Sequence, residues 1–279
     1  MRTIRNCSRG DLNTGTSKCA LDLSNVIGAV LVEPGTKFPA NATASSLREA
    51  CHADRPNRLM PIMRFVEYSK DGGEPNVSSV GYGGNKVTSV SARTDDYTLD
   101  NYYPELAAAL SKAMNKPYDV FYFDDNNVVY GLRDGEDLVG FPLTTVYPKA
   151  TPHPTSSNPA TLIVSFAFEN ARDAIEEFDF IELDFNVANS LVGLTKVELV
   201  KTATTGNKYK LLEKVGGYDL TPKYGTAIAE SASTILNGAT AATYNSTDET
   251  LTITVSDGAT PSLKAPSALY TAGIEGITP

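Results

Sequence analysis

Residues 120–135, VFYFDDNNVVYGLRDG, place two runs of aromatic and β-branched residues on either side of two acids and two amides. Such runs favour pleated, half-buried backbone, and Asp and Asn tolerate left-handed geometry and cap their own turns. The stretch therefore predicts a tight hairpin with strands Val120–Phe123 and Val128–Leu132. The four joining residues, Asp124, Asp125, Asn126 and Asn127, all carry oxygen, which hard cations prefer. A calcium loop needs ligands at alternating positions and a glycine at a fixed offset, and DDNNVV has neither. The acids are read as turn chemistry, and no metal and no cofactor is expected.

Similar punctuation recurs along the chain and predicts a mainly β protein with a few helices. A strand is expected near Val26–Val32, ended by Pro34-Gly35, and another from about Met60 to Tyr68. Between them ASSLREACHA, residues 44–53, reads as a short helix with Thr43 or Ser45 as N-cap. The segment VSSVGYGGNKVTSVSARTDDYTL alternates with period two, and GYGGN, with Gly81, Gly83 and Gly84, is its turn or bulge. The best helix is Tyr103–Asn115, with Pro104 in its first turn and Leu106, Leu110 and Met114 on one stripe. FPLTTVYP, TLIVSFAF and FDFIELDF are further β segments, and ENARDAIEE between the last two is a turn of helix or a loop.

KATPHPTSSNPA, residues 149–160, reads as a linker or an extended surface loop. TKVELVKT and KYKLLEKV flank the turn TTGN as a second hairpin, and a helix is expected over Tyr224–Leu236. At 279 residues the chain suits two domains. The expected division is an arm over 1–25, a β-sandwich or barrel core with one flanking helix over 26–189, and a small β-rich unit with one helix over 190–279. That last unit is read as immunoglobulin-like or α+β.

Charge bears on function. The net charge is −9, yet residues 1–70 hold ten Lys/Arg against six Asp/Glu, and Glu169–Asp184 holds seven acids against Arg172 alone. A net acidic chain does not suit ordinary nucleic-acid binding, which needs cations to displace counterions from phosphate. The acids include Glu176, Glu177 and Asp179, a conceivable carboxylate set for glycoside hydrolysis, but a solvated or partner-facing surface is the more frequent use. Cys51-His52 could pair a nucleophile with a base, but neighbours on a helix point about 100° apart and rarely serve one site. Three cysteines, Cys7, Cys19 and Cys51, write no disulfide framework, although a Cys7–Cys19 bridge is conceivable. No run approaches the roughly 20 apolar residues of a membrane span, and no catalytic residue is assigned.

Taken together, the bent strands, helix and acidic hairpin of residues 81–147 resemble the tail-tube proteins of tailed bacteriophages, with Phe123, Asp124 and Gly131 as members of the hairpin that closes their sheet. TITVSDGA and APSALYTAGIEGI in the last forty residues resemble add-on domains of virion proteins from phages of Bacteroidetes. The resemblance implies a virion structural protein, assembled in the host bacterial cytoplasm, that forms rings and a tube with other virion proteins and lets double-stranded DNA pass without specific binding. An auxiliary or decoration protein of the capsid, or a head–tail connector, is the alternative. Asp71–Asn85 would be the stacking loop and residues 1–25 the arm. Asp124 and Asp125 would line a lumen or rim a subunit contact.

Overall fold

The computed structural model describes residues 2–3, 24–39, 41–79, 81–149, 154–156, 159–202, 206–256 and 258–279. It is mainly β and divides into two units: Met1–Leu47 with Leu59–Leu191, and Arg48–Arg58 with Val192–Pro279. The expected arm, residues 1–25, falls almost wholly outside the described residues, as do Cys7 and Cys19.

The first unit opens with β1 (Arg2–Thr3), β2 (Val26–Val32), the helix α1 (Ala44–His52), whose last turns belong to the second unit, β3 (Met60–Met63) and β4 (Phe65–Gly72). An exposed ribbon of β5 (Pro75–Ser79) and β6 (Asn85–Val90) follows, then β7 (Arg93–Leu99) and α2 (Pro104–Ala113). Next come β8 (Tyr118–Asp124), β9 (Val128–Asp134), β10 (Asp137–Val139), β11 (Phe141–Pro148) and β12 (Ile163–Phe168). The short helix α3 (Asp173–Glu176), β13 (Phe178–Glu182) and α4 (Val187–Ser190) complete the unit.

The strand pairings run in a ring: β2 on β8, β8 on β11, β11 on β12, β12 on β7 and β7 on β4. β4 is the continuation of β3, which pairs back onto β2. The residue between them is Arg64, at φ 72°. The ladder carries across this bend, because Arg64 N–H donates to Ile27 O at 3.1 Å and Asp100 N–H donates to Arg64 O at 3.0 Å. Met60–Tyr68 is thus one strand to the ring but two to the backbone, a correction to the single strand expected there. The bend curls the sheet round its core, while β4 is paired among the described residues along one side only, with β7.

β8 explains the apolar run that marks it. One edge pairs with β2, while the other is shared between β11, at Tyr118–Val120, and β9, at Tyr122 and Phe123. All seven residues are buried, so both parities must be apolar or satisfied. Tyr118, Val120 and Tyr122 join Ala29, Phe65, Tyr97 and Phe166 in the core enclosed by the curled sheet. The alternate residues face the other way, and Phe121 meets Phe38 edge-on with ring centroids 5.4 Å apart. Gly28 is required here, since a Cβ on it would lie 2.3 Å from the Phe123 ring.

α2 packs against the same core through Leu110, Leu106 and Ala107; Met114, expected on that stripe, lies past the helix end and is exposed. The proline-bearing segment lies between β11 and β12, which are neighbours in one sheet, with Val146 opposite Phe166. It therefore connects strands within the first unit.

The second unit is a five-stranded sheet ordered β17 (Ala239–Asn245), β18 (Thr250–Val255), β15 (Lys208–Glu213), β14 (Thr195–Lys201), β20 (Ile277–Thr278), with β14 and β20 parallel. α5 (Thr221–Glu230) packs on β17, β18 and β15, and α6 (Ala232–Ile235) continues after a break at Ser231. A small pair, β16 (Leu236–Asn237) with β19 (Ser262–Leu263), and α7 (Pro266–Thr271) finish it. Helices layered on one sheet, with a core of Leu211, Ile228, Ile235, Leu251 and Leu269, make this unit α+β. The one helix expected there is several, and α7 lies within the APSALYT stretch that the sequence left without an element.

Candidate functional site

The sequence-selected residues separate into buried struts and exposed tips. Asp124 is 1% exposed: its Oδ1 accepts from Asn126 N–H at 3.0 Å and Val128 N–H at 2.8 Å, and its Oδ2 accepts from the Tyr130 hydroxyl. It holds the turn closed from inside, which corrects the expectation that it lines a lumen or rims a contact. Asn127 takes the left-handed position at φ 64°, and its Oδ1 and backbone carbonyl accept from Val187 N–H and Leu183 N–H, both at 3.0 Å. Asp125 and Asn126 stand in solvent.

The acids of residues 169–184 do not converge. Glu176 is exposed and paired with Arg172 at 2.8 Å, while Asp179 is buried against Arg133 at 3.2 Å and so is not a surface residue either. Glu177 is half-buried. Burial, with the charges of Glu176, Glu177 and Glu169, raises the carboxyl of Asp173 above its usual range. Gly81, Gly83 and Gly84 lie at the exposed end of the β5–β6 ribbon, Gly81–Gly83 as a single 3-10 turn, with positive φ at Gly81 and Gly84.

In the second unit His52 is wholly buried. Gly276 N–H donates to its Nε2 at 2.8 Å, so the proton sits on Nδ1 and is donated to Arg48 O at 2.6 Å. Both nitrogens are consumed by structure, and neighbouring Cys51 is a buried thiol pushed up to about 11 by desolvation. Among the described residues no three His, Cys, Asp or Glu converge as metal ligands.

What the sequence did not bring together is a cavity of about 350 Å³ in the first unit, walled by Tyr68, Tyr97, Tyr122, Tyr130, Phe141 and Phe168. Its one ion pair is internal: Arg93 Nε and Nη2 donate to Asp95 Oδ1 and Oδ2 at 2.8 and 2.7 Å, and the guanidinium lies 4.6 Å from the centroid of the Phe168 ring. Burial opposes the charge on Arg93, but the Asp95 carboxylate more than compensates and holds the guanidinium protonated. Burial raises Tyr97, Tyr122 and Tyr130 well above the ordinary phenol, so all three are neutral. Tyr130 already donates to Asp124, whereas the buried hydroxyl of Tyr122 has no partner among the described residues. The site is an aromatic-walled cavity whose lining charges are paired with each other. Part of its signal was present in RTDDY, because Arg93, Asp95 and Tyr97 share one face of a strand.

No protein-family model and no curated protein matches this chain. Among the described residues no helix is long and apolar enough to cross a membrane.

Proposed function

We propose that this chain is a virion structural protein that self-assembles into stacked rings, forming a phage tail tube through which double-stranded DNA passes. The observation that carries this reading is the β5–β6 ribbon. It continues β4 and β7 past Gly73, whose N–H donates to Ala92 O at 3.2 Å, and every residue of β5 is exposed. Val77 and Val87 pair across it at 56% and 62% exposure, and Tyr82 at its end is fully exposed. A two-stranded ribbon with apolar side chains in water contributes little to a monomer and is a liability unless a partner covers it. A curled β-sheet packed by the helix α2 supports the same reading, and so does a net charge of −9, which repels the phosphate backbone of DNA in transit.

Negative-stain electron microscopy of the purified chain tests the proposal: tubes or stacked rings are expected. Replacing residues 74–90 by a two-residue turn is expected to leave a folded monomer. A full-length chain that remains monomeric at high concentration refutes it. The second reading, a capsid auxiliary or decoration subunit or a head–tail connector, is favoured by the self-contained core of the second unit, which suits an appended knob. A monomer or trimer that binds only expanded capsids would select the decoration form of that reading.

A further inference from the structure

We propose that the aromatic chamber of the first unit is a binding site for a small uncharged aromatic molecule of one or two rings. Its walls form an arc of rings, Tyr68, Tyr97, Tyr122, Phe141, Phe178 and Tyr130, with successive centroids 5.0, 5.3, 5.8, 6.5 and 5.8 Å apart. Each spacing lies in the range at which aromatic rings attract. Among the described residues no ring contact joins the two ends, Tyr68 and Tyr130, so the arc does not close on itself. A guest ring lodged between its arms would meet aromatic neighbours on both sides.

Size, access and charge narrow the guest. Cores of ordinary density leave few voids larger than a water molecule, so a space of about 350 Å³ between large side chains calls for an occupant. An apolar cavity of roughly 150 Å³ already admits benzene, which leaves room here for a second ring. The chamber opens to solvent at Tyr68, which is 49% exposed, and at the Arg93 side chain, which is 21% exposed. Its lining charges, Arg93 and Asp95, hold each other at 2.8 and 2.7 Å, so an anion finds no unpaired cation there and a cation no unpaired carboxylate. A charged guest would lose its water shell without a counter-charge in return. An aliphatic guest would fill the space but forgo the ring contacts, so the walls select a planar π system.

Indole titrated into the full chain tests this, because the chain holds no tryptophan and the fluorescence of the probe is read alone. Saturable binding at one site is expected, with nuclear Overhauser contacts from indole to the rings of Tyr97 and Phe178, which stand on opposite arms of the arc. Indoleacetate and tryptamine add a negative and a positive charge to the same ring system, and each is expected to bind at least about tenfold more weakly. Benzyl alcohol is expected to displace indole at least about threefold better than cyclohexylmethanol, whereas burial of apolar area alone would favour the saturated ring. Ala174 lines the cavity from α3, and Ala174→Leu is expected to weaken indole at least about tenfold with hydrogen exchange of the β8 amides unchanged. The contacts to Tyr97 and Phe178 in the wild type decide the location without any variant. No saturable binding of indole, equal binding of the three charge forms, preference for cyclohexylmethanol, or contacts that appear only at exposed rings such as Tyr82 would overturn the site. Binding does not require assembly, so the tube reading stands or falls separately.

Discussion

Replacing Arg93 by Met tests whether the chamber wall is held by charge pairing or by packing. Asp95 is 1% exposed and accepts two short bonds from the guanidinium, at 2.8 and 2.7 Å; its remaining partner is the Tyr68 hydroxyl at 3.4 Å. Met retains most of the aliphatic stem but leaves a buried carboxylate with one long hydrogen bond. Breaking a buried pair by removing one member costs about 3–5 kcal/mol. Because the Arg93 side chain is 21% exposed, water can partly replace it, and the lower end, about 3 kcal/mol, is expected. Adding Asp95→Leu removes the orphaned charge, so the double variant is expected to return to within about 1 kcal/mol of the wild type. Two units make a single unfolding midpoint ambiguous, so the measurement is native-state hydrogen exchange at the amides of Tyr97 and Val164, which face each other in β7 and β12. If the double variant is as unstable as Arg93→Met alone, packing rather than charge holds the wall and the reasoning fails.

Three further perturbations follow from single sites. Burial raises the carboxyl of Asp119, with the charge of Glu169 adding to it and the Gly35 N–H, at 2.7 Å, opposing. A raised folded value means that its contribution to stability is full below the unfolded value, about 3.9, and is lost as pH rises through the folded one. Asp119→Asn is therefore expected to stabilise the first unit at pH 7, with no advantage below about pH 4, in native-state hydrogen exchange of the β8 amides; an advantage that persists in acid would refute the cause. Gly28→Ala drives a Cβ to 2.3 Å from Phe123 and is expected to cost roughly 1–3 kcal/mol in exchange protection of β2, and unchanged protection would mean the ring moves freely. Cys51, a buried thiol raised to about 11, is expected to alkylate at pH 8 at least about a hundredfold more slowly than free cysteine, as followed by peptide mass spectrometry; fast labelling would show that its surroundings open readily.

The elements legible in the sequence are those that local chemistry specifies twice. The strand Val26–Val32 and the hairpin around Asp124–Asn127 combine an apolar run with its own stop signal, and Thr43 caps α1 by accepting from Ser46 N–H at 3.1 Å. The misreadings occur where tertiary demand exceeds local preference. Nothing in RLMPIMRFVEY marks Arg64 for the left-handed region; the ring needs a bend there, and the ladder on both sides holds it. α7 is only six residues long, too short to announce itself by periodicity, and is kept by burying Leu269. For the proline-bearing segment composition left a linker and an extended surface loop open, and the pairing of β11 with β12 decides for the loop.

The chamber was illegible for a deeper reason of the same kind. Its wall is drawn from Tyr68, Arg93, Tyr122, Phe141 and Phe168, residues that become neighbours only when the strand ring closes. Each alone reads as ordinary core, since a buried aromatic on a strand is what period-two alternation predicts. What sets the group apart is a mismatch of satisfaction. Asp124, chosen from the sequence for its exposed-looking turn, proves to have every acceptor engaged, while Tyr122, two residues earlier and inconspicuous in VFYF, is the one with a hydroxyl to spare. Among the described residues it is the buried side-chain polar atom left without a hydrogen bond, and a desolvated donor of that kind carries a cost its apolar neighbours do not offset.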